Sequence, residues 1–174
     1  MQNYFELFDL PISFTVDIDT LASRYRKLQQ SVHPDKYVNA SEQERRLSIQ
    51  HAARINDAYH ALKDPLKRAQ YLLELNGVQE GDAAMDNAFL MQQMELRESL
   101  EDVRSQADPL LAIGQILDEV ADLIRQNSQL LNDLLVSEDQ EGLEKAKNQV
   151  RKMQFLSKMA AEAESLEAEL EDAL

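Results

Sequence analysis

The feature that most constrains the fold is a pair of amphipathic stretches separated by a short polar turn. The first stretch spans residues 17–32 and the second spans residues 41–62, and apolar residues recur in both at intervals of three and four. That spacing predicts two helices, each with one buried face. The turn holds the tetrapeptide His-Pro-Asp-Lys at residues 33–36, and Pro34 disfavours helical geometry in the residue before it. We therefore expect a helical hairpin that displays polar side chains at its tip.

The remaining chain also predicts helices, so the expected fold class is all-α. Only four glycines and four prolines occur in 174 residues, which is typical of helical proteins. Helices are predicted over residues 85–103, after the Asp108-Pro109 pair, and after a capping box formed by Ser137 and Gln140. Three long amphipathic helices joined by short loops predict an antiparallel bundle. The expected domains are residues 1–76, a linker at 77–86 and a three-helix bundle at 87–174.

Charge and cysteine content limit the possible functions. The net charge is −14, and residues 77–174 carry all of it, with 8 Lys and Arg against 22 Asp and Glu. This excess argues against nucleic acid or an anionic membrane as a partner of the second domain. The chain has no cysteine, which excludes disulfides and thiolate chemistry and suits a reducing compartment. No apolar run approaches the roughly 20 residues of a membrane span, so we expect a soluble cytoplasmic protein.

The predicted helix over residues 85–103 has more apolar residues than one buried face requires. One face is formed by Phe89, Gln93, Leu96, Leu100 and Val103. Three further apolar residues, Leu90, Met91 and Met94, centre about 145° around the helix from that face. On the last helix, Phe155 lies similarly opposite the apolar face. These side chains either pack against the N-terminal domain, lie singly exposed, or form a binding patch.

The N-terminal residues resemble a J-domain. The resemblance rests on Tyr-Arg-Lys-Leu at 25–28, His-Pro-Asp-Lys at 33–36 and Ile-Asn-Asp-Ala-Tyr at 55–59. In J-domains the His-Pro-Asp loop and the basic second helix engage an Hsp70 chaperone and stimulate its ATP hydrolysis. The resemblance therefore implies an Hsp70-binding set, which consists of Tyr25, Arg26, Lys27, His33, Pro34 and Asp35. Arg24 is expected to face solvent and to extend this basic surface.

The whole chain resembles the HscB family of J-domain co-chaperones, which act in iron–sulfur cluster assembly. The resemblance is carried by residues 64–73, 86–98 and 151–156. It implies two partners, the Hsp70-type chaperone HscA and the iron–sulfur scaffold protein IscU. It also implies a scaffold-binding set, which consists of Leu90, Met91, Met94, Glu95, Glu98 and Phe155. A further acidic position of the family appears as Asp102, which is one methylene shorter than Glu.

Two other classes of function stay open at this stage. A structural helical adaptor would carry the same helices, with an incidental His-Pro-Asp turn. An enzyme would use His33 and Asp35 as an acid–base pair, but the sequence has no nucleophile motif, phosphate-binding glycine loop or metal-ligand spacing. We therefore expect no catalytic residue, no metal and no cofactor.

Overall fold

The computed structural model describes residues 2–32, 41–78, 86–137 and 139–173. All the secondary-structure elements of the described residues are helices, which confirms the predicted all-α fold. The helices are α1 (Tyr4–Leu7), α2 (Ile18–Ser31), α3 (Glu42–Lys63), α4 (Pro65–Leu75), α5 (Asn87–Asp102), α6 (Pro109–Ser137) and α7 (Gln140–Asp172), with a 3₁₀ turn at Val103–Ser105. The chain divides into two compact units, Met1–Leu75 and Asn76–Leu174. Residues 79–85, which make up most of the predicted linker, lie outside the described residues.

The first unit is built on contacts between α2 and α3. Tyr25 stacks on Tyr59, and Gln29 bonds to Asn56. The residue numbers of the contacting α3 residues fall as those of α2 rise, so the two helices are antiparallel, as the hairpin requires. Fully buried side chains from α1, α2 and α3 close the core, and they include Phe5, Leu21 and Leu62.

The buried face of α3 differs by one position from the predicted one. Hydrophobicity alone favours Leu47 on this face, but its side chain is 46% exposed and Ser48 is buried instead. Ser48, Ile55 and Leu62 are spaced by seven residues and therefore share one face, whereas Leu47 lies about 100° away from Ser48. The Ser48 hydroxyl is satisfied because it donates to the Arg45 carbonyl at 2.8 Å.

Side-chain caps set most of the helix starts. Asn3 with Glu6 and Ser41 with Glu44 form complete capping boxes at α1 and α3, and Asp17 caps α2. The capping box predicted at Ser137 and Gln140 is wrong. Asp139 caps α7, because its carboxylate accepts a hydrogen bond of 2.6 Å from the Gly142 amide. A carboxylate at this position is also stabilised by the positive end of the helix dipole.

The second unit is dominated by α6 and α7, which are much longer than α5. At about 1.5 Å per residue they extend about 44 and 50 Å, against about 24 Å for α5. The predicted apolar faces of α6 and α7 are confirmed at their fully buried positions, which include Ile113, Val120, Leu131, Ala146 and Met153. Because α5 is short, it covers only part of the α6–α7 pair.

Candidate functional site

Tyr25, the first residue of the predicted Hsp70-binding set, is fixed by a network between α2 and α3. Its half-buried ring stacks on the Tyr59 ring with centroids 4.1 Å apart. Its hydroxyl donates to Asn56 Oδ1 at 2.9 Å and accepts from Gln29 Nε2 at 3.2 Å. Gln29 Nε2 also donates to Asn56 Oδ1. The position of Tyr25 therefore depends on α3 as well as on α2.

The cationic residues of α2 divide into two groups. Arg26 and Lys27 are exposed. Arg24 is turned toward the preceding loop, where it donates to the carbonyl oxygens of Phe8, at 2.6 Å, and of Asp9. It also pairs with the Asp9 carboxylate at 3.3 Å. Arg24 keeps 35% of its side chain exposed, but its guanidinium is engaged in bonds within the unit, so it is a less available cation than Arg26 and Lys27.

The rest of the predicted Hsp70-binding set falls on the turn. His33, Pro34 and Asp35 lie outside the described residues, so their assignment stays a prediction. Helix α2 ends at Ser31 and helix α3 begins at Glu42. The two helices on either side of these residues are held together by the Tyr25 network.

On α5, buried and exposed apolar residues separate into two faces. Phe89 and Leu96 are 4% and 2% exposed, whereas Leu90, Met91 and Met94 are 43%, 63% and 61% exposed. We call Leu90, Met91 and Met94 the α5 patch. Glu95 and Glu98 are also exposed, on the following turn of the same helix. This exposure agrees with the helical-wheel geometry, while the scaffold-binding role of these residues stays a prediction.

Phe155 of α7 lies beside α5, but it is not an isolated exposed residue. It is half-buried against the bundle core, and its ring meets the Phe89 ring edge-on at 5.7 Å. The Arg97 guanidinium lies 5.8 Å from the centre of the Phe155 ring. Arg97 follows Leu90 by two helical turns and lies on the same side of α5. Phe155 therefore supports α5 from α7, a role that the sequence expectation missed.

An ion pair links the N-terminus of α5 to α7. Lys152 Nζ lies 2.8 Å from Asp86 Oδ2 and 5.2 Å from the centre of the Phe89 ring. Asp86 also caps α5, accepting from the Phe89 amide at 2.7 Å. The hydrogen bond from Lys152, followed by that from the Phe89 amide, lowers the pKa of Asp86. The sequence offered a cap signal for Asp86 but no local signal for Lys152, which lies 66 residues away.

The described residues show neither a metal site nor a membrane-spanning helix. Within these residues, no group of three or more His, Cys, Asp or Glu side chains is arranged to hold a metal ion. None of the described helices has both the length and the apolar character to cross a bilayer. The cytoplasmic location stays a prediction.

Comparison with known proteins identifies the family. A DnaJ domain model matches residues 3–71, and a model for the HSCB C-terminal oligomerisation domain matches residues 85–164. The co-chaperone protein HscB homolog of Shewanella amazonensis is 46% identical over 98% of this chain and 99% of its own. The chain belongs to the HscB family. The predicted J-domain and the predicted family are both confirmed.

Solved structures of HscB proteins share the fold of this chain. Chaperone HscB from Vibrio cholerae superposes with a TM-score of 0.87 at 45% identity, covering 97% of this chain and 99% of the other. Human co-chaperone protein HscB gives 0.82 at 32% identity, covering 94% of this chain and 81% of the other. As an HscB protein with a J-domain, the chain is a co-chaperone of an Hsp70-type chaperone in iron–sulfur cluster assembly. Co-chaperone families of this kind are not enzyme families.

Proposed function

We propose that this HscB protein stimulates the ATPase of the chaperone HscA and delivers the scaffold protein IscU to it. The observation that carries the proposal is the second apolar face of α5. Two methionines more than 60% exposed lie on the same helix as Phe89 and Leu96, which are less than 5% exposed. A clustered apolar surface bordered by charge is typical of a protein-binding site. In this protein it supplies the contact that selects the delivered partner.

The HscA-binding surface lies on α2 and on the turn that follows it. Arg26 and Lys27 are exposed cations, which increase the rate of encounter with an acidic partner surface. Tyr25 is held by Tyr59 and Asn56 and therefore presents a fixed edge to the partner. His33 and Asp35 act by hydrogen bonding to the chaperone. The hydrolysed nucleotide is bound by HscA, so this chain need not transfer a proton.

The IscU-binding surface is the α5 patch with Phe155 beside it and Glu95 and Glu98 at its border. Binding energy at interfaces is concentrated in a few apolar or aromatic anchors with a polar rim. Methionine side chains are flexible and polarisable, so they adapt to the surface of a partner. The two carboxylates favour a partner that presents basic groups around an apolar centre.

Both surfaces belong to one polypeptide, and this linkage explains delivery. When the chain binds IscU and HscA together, the scaffold and the chaperone meet at an effective concentration set by the tether. A linked contact of this kind increases the apparent affinity of HscA for IscU without any new bond between them. Delivery therefore requires both surfaces on the same molecule.

The test is the steady-state ATPase rate of HscA with and without this chain, each in the presence and absence of IscU. We expect stimulation by the chain, and greater stimulation when IscU is added. His33→Gln should abolish the stimulation and leave IscU binding unchanged. His51→Gln is a matched control, because His51 is an exposed histidine on α3. Unchanged HscA turnover with the native chain would favour the structural adaptor instead.

A further inference from the structure

A groove opens on the flank of α5 that faces α6. It has a volume of about 570 Å³, which is within the usual size range of binding clefts. Its two walls include Met91, Gln92 and Glu95 on α5 and Leu123, Gln126 and Leu130 on α6. Leu156 and Gln149 of α7 line it as well.

The groove results from the way α5 packs. Near its C-terminal end, Leu96 and the adjoining Val103 join a core cluster with Ile113 and Val120 of α6. Near its N-terminal end, Phe89 instead contacts Phe155 and Lys152, which belong to α7. The first half of α5 therefore packs on α7, and a space is left between it and residues 123–130 of α6.

The groove lining combines apolar and amide side chains. Leu130 is 51% exposed although leucine is strongly apolar. Gln92, Gln126 and Gln149 each carry an amide that can both donate and accept hydrogen bonds. A polypeptide backbone offers the same two groups at every residue. The lining thus suits an extended peptide segment with apolar side chains.

The groove is continuous with the α5 patch. Met91 and Glu95, two residues of the proposed IscU-binding surface, also line the groove. A partner seated on Met91 therefore reaches the mouth of the groove. The charges at the groove favour a neutral or basic segment, because Lys152 is paired with Asp86 and Glu95 adds a further carboxylate.

We propose that the groove between α5 and α6 receives an extended, apolar or basic segment of the scaffold protein that binds the α5 patch. This inference rests on the proposed function, because it extends the same interface. It assigns Leu130 and Gln126 of α6 to a surface that otherwise consists of residues from α5 and α7.

The test compares two exposed leucines of α6. Leu130 lines the groove, whereas Leu111 is 60% exposed on the same helix and does not line it. The dissociation constant for IscU is measured by calorimetry for the full chain and for Leu130→Ser, Leu111→Ser and Gln126→Ala. We expect Leu130→Ser to weaken binding at least about fivefold, Gln126→Ala to weaken it less, and Leu111→Ser to leave it unchanged. Melting temperatures check that each variant is folded.

Three results would overturn the inference. If Met94→Ser weakens IscU binding and Leu130→Ser does not, the proposed function stands and the groove has no part in it. If the native chain does not bind IscU, the proposed function and the groove assignment both fail. If Leu130→Ser changes the sedimentation of the chain itself and leaves IscU affinity unchanged, the occupant is a second copy of this chain.

Discussion

The two candidate surfaces differ in how their side chains are held. On the α2–α3 hairpin, Tyr25 is stacked, half-buried and hydrogen-bonded to Asn56 across the helix pair. On α5, Met91 and Met94 are more than 60% exposed. Tyr25 is therefore held in place before a partner arrives, while the α5 patch keeps apolar area available for its partner to cover. Substitutions should therefore lower stability at Tyr25 and weaken binding alone at Met91 and Met94.

The two faces of α5 should differ most in the cost of a substitution. Leu96→Ala removes a side chain that is 2% exposed and should lower the free energy of unfolding by about 2–5 kcal/mol. Met94→Ala removes a side chain that is 61% exposed and should change it by no more than about 0.5 kcal/mol. Urea denaturation of both variants measures the difference. Equal losses would show that α5 has no free face.

Phe155→Ala should give an intermediate loss, because the ring is half-buried against Phe89. We expect about 1–3 kcal/mol in the free energy of unfolding, less than for a fully buried phenylalanine. The same variant should weaken IscU binding, whereas Met94→Ala should weaken binding only. Phe155→Leu, which retains most of the apolar volume, should recover much of the stability. Full stability of Phe155→Ala would contradict the supporting role that we assign to this ring.

A double-mutant cycle on Tyr25 and Asn56 tests the hairpin network. Tyr25→Phe removes the hydroxyl that donates to Asn56 Oδ1 at 2.9 Å and keeps the ring on Tyr59. Each single change should lower stability by about 1 kcal/mol, since it breaks a partly buried hydrogen bond. The effects of Tyr25→Phe and Asn56→Ala should not add, because both remove the same bond. Additive losses would show that the two side chains act independently.

The smallest effect is expected at the Asp86–Lys152 pair. Its bonds lower the pKa of Asp86, so the carboxylate stabilises the fold above the usual carboxyl pKa, and this contribution is lost as the pH falls through the lowered value. Asp86→Asn should be slightly less stable than the native chain at pH 7, and the difference should disappear in acid. Denaturation curves between neutral pH and about pH 2.5 measure it. A difference that persists unchanged in acid would contradict this role for the carboxylate.

Periodicity and caps were sufficient to predict most helices and the two faces of α5. Helical spacing shows which residues share a face, so the sequence alone places Met91 and Met94 on a different face from Phe89. It does not show what approaches that face. The ring contact of Phe155, the ion pair of Lys152 with Asp86 and the bonds of Arg24 to the loop before α2 all depend on tertiary packing.

The sequence pattern also did not predict which of two adjacent residues on α3 is buried. Leu47 and Ser48 are adjacent, and hydrophobicity alone favours burial of the leucine. Packing buries the serine instead, and its hydroxyl is satisfied by a backbone carbonyl. The groove beside α5 has no periodic signal in the sequence, since it depends on how α5 packs against α6 and α7. The family resemblance, by contrast, was readable from short motifs along the whole chain.

The central claim is that one molecule must carry both surfaces. It is tested most directly by the HscA ATPase rate, measured with IscU and a mixture of two variants. One variant, His33→Gln, lacks the proposed trigger, and the other, Met91→Ala with Met94→Ala, lacks the proposed scaffold contact. We predict that the mixture fails to reproduce the additional stimulation that the native chain gives with IscU. Full stimulation by the mixture would show that the two surfaces act separately and would contradict delivery by a single chain.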